Sequence, residues 1–92
     1  MTKMYETSLT ICNQKGLHAR AAAAFVKCVA GIDAEIKVEK DGQTVDGSSI
    51  LSLMMLAASK GSTIKIMATG EEAEEAINAL TNLINSRFGE DQ

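Results

Sequence analysis

Residues 16–20, Gly-Leu-His-Ala-Arg, combine side chains and backbone groups suited to phosphate chemistry. His18 is the only histidine in the sequence, and a neutral imidazole is a good nucleophile near pH 7. It stands where a strand pattern has ended and an alanine-rich helix pattern begins, and the free N–H groups of a helix N-terminus bind anions. Arg20 adds a guanidinium group for the same oxygens. The segment predicts a site that takes a phosphoryl group onto nitrogen and keeps it labile enough to pass on.

The same spacing also allows a purely structural interpretation. In that case His18 ends a loop and caps the helix, and Arg20 is an ordinary solvated charge. The spacing alone leaves both interpretations open.

Periodic patterns along the chain predict the elements that position this segment. Strands are predicted at residues 5–12, 34–39, 44–46 and 63–68, and helices at residues 19–30, at residues 50–58 and from residues 69–72 onward. Together these elements predict an α+β fold in the order βαββαβα. The strands each have one polar face, so they should form a four-stranded, mainly antiparallel sheet with three helices on one side, an open-faced sandwich.

Turn and capping residues refine the element boundaries. The Asp41-Gly42 pair predicts a hairpin turn with positive φ at both residues. Gly31 is expected to end the first helix, and Ser48 or Ser49 to cap the second. The third helix should bury one stripe of side chains at steps of three and four: Ala73, Ala76, Ile77, Leu80, Leu83, Ile84 and Phe88.

Composition excludes several function classes. The chain has 92 residues, a net charge of −3 and three aromatic residues, so we expect one domain, residues 1–92, that binds no nucleic acid. No apolar run is long enough to span a membrane. Cys12 and Cys28 form no metal-ligand spacing, and with one histidine we expect no metal site. We therefore expect a cytoplasmic protein without a cofactor.

The second predicted helix is apolar nearly all round, which exceeds what one face of a small sheet can bury. Ile50, Leu53, Leu56 and Ala57 are interpreted as core residues. Exposed methionine and leucine clusters are typical of docking surfaces, and Leu51, Met54 and Met55 fit docking and core packing equally well.

Two segments resemble the histidine phosphocarrier (HPr) family of the bacterial phosphotransferase system. Residues 16–26 resemble its active-site segment, and residues 45–56 resemble its second motif. The similarity extends over essentially the whole chain and matches the predicted element order. Within the family, residues 54–56, 59–61, 68–70 and 85–88 are more similar to the nitrogen-related NPr branch than to the sugar-transport branch.

The resemblance implies specific roles for individual residues. His18 would accept phosphate through Nδ1 from phosphorylated enzyme I and pass it to a histidine of an enzyme II A component, assisted by Arg20. Ser49 matches a serine that a dedicated kinase modifies in some bacteria. The protein would be a monomeric carrier, not an enzyme. The residues that match the family's docking surface are Ala19, Arg20, Lys27, Ser49, Ile50, Leu51, Met54 and Met55.

One departure from the family pattern lies beside the predicted site. The family usually has proline directly after the arginine, where this chain has Ala21. Alanine keeps the helix but restores one N–H group and loosens the loop, at a cost under ~1 kcal/mol. We expect phosphoryl transfer to survive this change.

Two other functions are compatible with the element order or the second helix. A hydrolase of the acylphosphatase type needs arginine in a glycine-rich phosphate loop and an asparagine that positions water. Asn13 and Gly16 are the nearest candidates, but the residues around them do not form such a loop. The other function is a regulatory binding module that acts through the second helix, with phosphorylation as the signal.

Overall fold

The computed structural model describes residues 3–92. Its elements are β1 (Met4–Thr10), α1 (Ala19–Val29), β2 (Glu35–Lys40), β3 (Gln43–Asp46), α2 (Ile50–Met54), β4 (Thr63–Thr69), α3 (Ala73–Asn85) and a 3₁₀ turn (Arg87–Gly89). The predicted order βαββαβα is confirmed. No helix within residues 3–92 is long and apolar enough to cross a membrane.

The four strands form one sheet in the order β1-β4-β2-β3, and each neighbouring pair is antiparallel. The predicted α+β open-faced sandwich is therefore confirmed. Asp41 and Gly42 join β2 to β3 with φ values of 51° and 84°, as the hairpin turn requires.

Alternation along the two central strands separates the core from the open face of the sheet. Ile36, Ile64, Ile66 and Ala68 are buried. On the other face, Lys37 of β2 lies opposite Met67 of β4. The buried face packs beneath the helices, because strand side chains alternate between the two faces.

Helix α2 is shorter than its sequence predicts. It ends at Met54, whereas the apolar run predicts a helix to residue 58. The N–H groups of Leu56 and Ala57 bond back only three residues, to Leu53 and Met54, and Ala57 has a φ of 52°. The left-handed residue turns the chain toward the segment before α1, so this tertiary contact overrides the helical preference of the run.

Helix α1 matches its predicted start, but two details are corrected. It ends at Val29 with Ala30 as a right-handed C-cap, and Gly31 is not among the residues with positive φ. The helical spacing of Ala22, Ala23, Val26, Val29 and Ala30 in the sequence also predicts one apolar face, but Ala23 and Ala30 are exposed and the buried face includes Ala21 and Phe25.

Helix α3 turns the predicted stripe toward the core: Ala73, Ala76, Leu80 and Ile84 are buried, and Ile77 and Leu83 are partly buried. One change occurs at its end. Phe88 is buried but lies beyond the helix, in the 3₁₀ turn. Arg87 and Phe88 have φ values of 58° and 55°. These left-handed residues turn the chain away from the axis of α3 and back across the fold.

The orientation of α2 predicts opposite results for two leucines in it. Leu53→Ala removes a fully buried side chain and should lower the free energy of unfolding by about 2–5 kcal/mol. Leu51 is 70% exposed, so Leu51→Ala should change it by less than about 0.5 kcal/mol. Urea unfolding of both variants measures the difference, and equal losses would contradict the orientation.

Candidate functional site

The loop between β1 and α1 is closed by a tight turn at residues 13–16. The N–H of Gly16 donates to the carbonyl of Asn13 at 3.2 Å, and Gly16 has a φ of 67°. A Cβ at Gly16 would lie 2.5 Å from the Ala58 carbonyl oxygen and 2.8 Å from Ser59 Cα. Glycine is therefore required both for the backbone angle and for the close approach.

The next residue attaches the loop to the segment after α2. The N–H of Leu17 donates to the carbonyl of Ala58 at 2.8 Å, and the N–H of Gly61 donates to the carbonyl of Ile11 at 2.8 Å. Leu17 is buried. These contacts fix the position at which the chain enters α1.

His18 is the N-cap of α1. Its Nδ1 accepts a hydrogen bond from the backbone N–H of Arg20 at 3.3 Å. The ring is partly exposed, with 26% of the side-chain surface accessible. The sequence left a helix cap and a phosphoryl site as alternatives, but the geometry makes them compatible, because the cap directs Nδ1 toward the positive end of the helix dipole.

The other ring nitrogen of His18 contacts the C-terminal end of the chain. Its Nε2 lies 2.7 Å from Oε2 of Glu90. The two residues are 72 positions apart, and the Glu90 side chain is 14% exposed. The histidine ring is thus held through both of its nitrogens.

Asn13 connects Glu90 to the loop. Its Nδ2 donates to the Gly16 carbonyl at 2.8 Å and to Oε1 of Glu90 at 3.1 Å. The Asn13 side chain is fully buried. Both facing atoms are oxygen acceptors, so the amide must present its nitrogen to them.

The surroundings of Glu90 favour its ionised form. Partial burial alone would raise the pKa of this carboxyl group. Hydrogen bonds from Asn13 and His18, with the attraction of the Arg20 charge and of His18 in its protonated form, outweigh burial and hold the pKa of Glu90 below its ordinary value. Glu90 is therefore a carboxylate near neutral pH, and it can only accept hydrogen bonds.

Arg20 borders the same site from the solvent side. Its side chain is exposed and donates no hydrogen bond to residues 3–92. An open depression beside His18 is bordered by Gln14, Lys15, Arg20 and Glu90. Lys15 and Arg20 therefore place two cationic side chains at the edge of the site, where an incoming anion could meet them.

The predicted docking residues divide between two helices. Ala19, Arg20 and Lys27 are exposed on α1. The α2 patch is defined here as the four exposed apolar side chains of α2 and its C-cap. It is formed by Ile50, Leu51, Met54 and Met55, with 40%, 70%, 40% and 62% of their surface accessible.

The interpretation of the second helix as partly core is only half correct. Leu53 and Leu56 are buried as expected. Ile50 and Ala57 were also interpreted as core residues, and that was wrong because both are exposed.

Ser49 is the N-cap of α2. Its Oγ accepts a hydrogen bond from the N–H of Ser52 at 3.2 Å, which settles the choice between Ser48 and Ser49. The residue is half-buried. Capping of α2 is therefore the role that the structure shows for Ser49.

The two cysteines take part in packing. Cys12 donates through Sγ to the carbonyl of Ile84 at 3.2 Å, which ties the loop to the end of α3. Burial raises the pKa of the Cys28 thiol, so it is less reactive than an exposed thiol. Within residues 3–92, no group of three or more His, Cys, Asp or Glu side chains could hold a metal ion.

Sequence reasoning missed the contribution of Glu90, and it considered Asn13 only as a water-positioning residue of a hydrolase. Both act through contacts between distant parts of the chain, which local periodicity does not reveal. One usable signal was Phe88, an apolar residue followed by glycine near the C-terminus of the sequence. It indicates that the tail packs against the fold and does not extend into solvent.

Comparisons with known proteins show the family of the chain. Residues 5–86 match the family described as "PTS HPr component phosphorylation site". The chain is 47% identical over 83 residues to the phosphocarrier protein HPr of Pseudomonas aeruginosa, covering 89% of this chain and 92% of that protein. It is 38% identical over 90 residues to the phosphocarrier protein NPr of Shewanella violacea, covering 98% of each chain.

A solved structure gives the same result. The crystal structure of HPr-C-His from Thermoanaerobacter tengcongensis superposes with a TM-score of 0.91 at 44% identity, covering 96% of this chain and 99% of that one. The chain belongs to the HPr family of the phosphotransferase system. Members of this family are phosphocarriers and not catalysts in themselves.

Gly16 provides a test of the loop geometry. Gly16→Ala combines an unfavourable φ with a backbone clash, whereas Gly42→Ala meets only the unfavourable φ of 84°, with no atom within 4 Å of the new Cβ. Gly42→Ala should cost about 1–2 kcal/mol of unfolding free energy, and Gly16→Ala about 1–3 kcal/mol more. Denaturant unfolding of both variants gives the difference; equal costs would mean that the loop does not approach Ala58 closely.

Proposed function

We propose that His18 is the phosphorylated residue of this carrier. Its Nδ1 accepts a phosphoryl group from phosphorylated enzyme I and passes it to a histidine of an enzyme II A component. One observation carries the proposal: Nδ1 is a hydrogen-bond acceptor at the N-terminus of α1. Its lone pair therefore lies where backbone N–H groups and the helix dipole stabilise an anion.

The transfer step follows from this placement. The Nδ1 lone pair forms a bond to phosphorus while the bond from phosphorus to the donor's histidine nitrogen breaks, and that electron pair stays on the donor. The N–H of Arg20, which loses Nδ1 as its acceptor, becomes available to a phosphoryl oxygen. The Arg20 guanidinium stands at the solvent side of the site, where it can neutralise the charge of the transferred group.

The predicted docking residues support a shared partner surface. Both partners must reach the same His18, so their binding surfaces overlap and each complex must be transient. The α2 patch supplies exposed apolar contact area on a helix that packs against α1, and Ala19 and Lys27 extend the surface along α1. Flexible methionine side chains suit a surface that binds two different partners.

Ser49 is the proposed site of regulation by a serine kinase. Phosphorylation of Oγ would replace the neutral cap of α2 and add a charge of about −2 beside the α2 patch. Apolar partners would bind that surface less well. The test compares the rate of phosphoryl transfer from His18 to the enzyme II A component with and without phosphate on Ser49. A slower rate in the phosphorylated protein is expected.

The branch of the phosphotransferase system is a further part of the proposal. We favour the nitrogen-related branch because of the motif similarities at residues 54–56 and 85–88, and the match to an NPr protein over 98% of both chains supports it. The higher identity to a protein named HPr supports the sugar branch. Comparing the rates of transfer to the enzyme II A components of each branch distinguishes them. We propose that the carrier acts as a monomer in the cytoplasm.

The exposed α2 patch also favours a second candidate, a regulatory binding module. Such a module would bind its partner equally well after substitution of His18. The hydrolase alternative has less support, because Asn13 Nδ2 is engaged by Gly16 and Glu90 and does not face open solvent. Only steady hydrolysis of an acyl phosphate by the purified protein would support the hydrolase alternative.

Replacement of His18 tests the proposed phosphoryl acceptor. Incubation with enzyme I and labelled phosphoenolpyruvate should give acid-labile, base-stable phosphate on the native protein, and none on His18→Ala, which lacks the nucleophile. Thr44→Ala, at an exposed position of β3, is the control and should be labelled normally. Equal labelling of His18→Ala and the native protein would refute the assignment.

A charge placed in the α2 patch tests docking. Met54→Glu should slow transfer to the enzyme II A component by about tenfold or more, because an unpaired carboxylate in an apolar contact is costly. Thermal stability should change little, since Met54 is exposed. Met4→Glu introduces the same charge on β1 at a residue 70% exposed and should leave transfer unchanged. A large loss of stability in Met54→Glu would instead show that Met54 supports the core.

A further inference from the structure

We propose that Glu90 is a positioning residue for phosphoryl transfer: its carboxylate, itself held by Asn13, fixes His18 in the tautomer in which Nδ1 carries a lone pair and no hydrogen. The proposal rests on the proposed phosphorylation of His18. It adds two residues to the site that lie outside residues 16–20: Asn13, in the loop before α1, and Glu90, in the C-terminal tail.

The two hydrogen bonds of the ring specify one tautomer. Glu90 is a carboxylate and accepts only, so Nε2 of His18 must carry the hydrogen of the 2.7 Å contact. The backbone N–H of Arg20 donates only, so Nδ1 must offer its lone pair. Each bond alone would favour this form, and together they select it from opposite sides of the ring.

Asn13 holds the Glu90 carboxylate in the orientation that this requires. Its Nδ2 contacts Oε1 of Glu90, which leaves Oε2 for His18. The amide is fully buried, and its Oδ1 accepts no hydrogen bond within residues 3–92. Burying an unsatisfied polar atom is unfavourable. The two hydrogen bonds that Asn13 Nδ2 donates, to the Gly16 carbonyl and to Glu90, explain why an amide is present here in spite of that cost.

The tail carries backbone strain at the residues that direct Glu90 to the site. Arg87 and Phe88 both have left-handed backbone angles, which non-glycine residues adopt only when the surrounding structure enforces them. The buried ring of Phe88 anchors the turn, and Arg87 Nη1 donates to the Asp91 carbonyl at 2.8 Å. The strained turn therefore returns the chain to His18.

The carboxylate also matches the charge that the reaction creates. When Nδ1 forms its bond to phosphorus, Nε2 keeps its hydrogen and the ring becomes cationic. Glu90 then faces a positive ring across an existing hydrogen bond, without having to move. This is the role that a buried carboxylate has beside the histidine of a catalytic triad.

Glu90→Gln tests the proposal with minimal change of shape. A carboxylate can accept from both Asn13 Nδ2 and His18 Nε2, whereas an amide has one oxygen and one NH₂ group. If the amide oxygen serves Asn13, its NH₂ faces Nε2 and stabilises the tautomer with the hydrogen on Nδ1. That tautomer has no nucleophilic lone pair on Nδ1 and loses the cap to Arg20.

Two measurements are made on each variant. The ¹⁵N chemical shifts of the His18 ring, recorded for the neutral imidazole in the free protein, report the tautomer without any phosphoryl transfer. Native protein should show hydrogen on Nε2, and Glu90→Gln should show a mixture or hydrogen on Nδ1. The rate of phosphorylation by enzyme I and phosphoenolpyruvate should fall at least tenfold in Glu90→Gln.

Glu74→Gln is the matched control, because it makes the same carboxylate-to-amide change at an exposed residue in the first turn of α3, at the opposite end of that helix from the tail that carries Glu90. It should keep the native tautomer and a rate within twofold of native. A native tautomer or a native rate in Glu90→Gln overturns the positioning role, as would equal effects in Glu74→Gln. If native protein is not phosphorylated on His18 at all, the proposed function fails, whereas the ring shifts still show whether Glu90 selects the tautomer.

Discussion

The hydrogen bond between His18 Nε2 and Glu90 Oε2 is the interaction on which the arrangement of the site depends. It joins residues 72 positions apart, and the sheet order makes this possible. Helix α3 packs on β1 and β4, so its C-terminal end lies beside the loop that follows β1, where Cys12 donates to the Ile84 carbonyl. From there, the left-handed turn at Arg87 and Phe88 is enough to bring Glu90 to the histidine.

A second constraint, the close approach of Gly16 to Ala58, joins the two regions with proposed roles. The backbone bond from Leu17 to Ala58 requires the chain to leave its helix soon after Met54. The short α2 is therefore a consequence of building the loop before His18. The same early turn leaves Met55 exposed at the C-cap while Leu56 returns to the core.

The sequence predicts what is decided locally. The order of strands and helices, the Asp41-Gly42 turn, a serine cap at residue 48 or 49 and the position of His18 before α1 all depend on residues within a few positions of one another, and the structure agrees with each. The contributions of Asn13 and Glu90 depend on contacts across 77 and 72 positions, which no local pattern encodes. The predicted C-terminal boundary of α2 was wrong because a tertiary contact of the following segment decides it, and the predicted burial of Ile50 was also wrong.

Ala21 shows how these local and long-range contributions combine. It is the third residue of α1 and is fully buried. A proline there would preset φ and remove an N–H from the first turn, whereas alanine keeps that N–H as a further donor at the helix end and gives up local stiffness. In this chain, the orientation of the histidine is set instead by the bonds from its two ring nitrogens to Arg20 and Glu90. Rigidity at His18 therefore comes from contacts with the loop and the tail, and the helix start can retain all of its backbone donors.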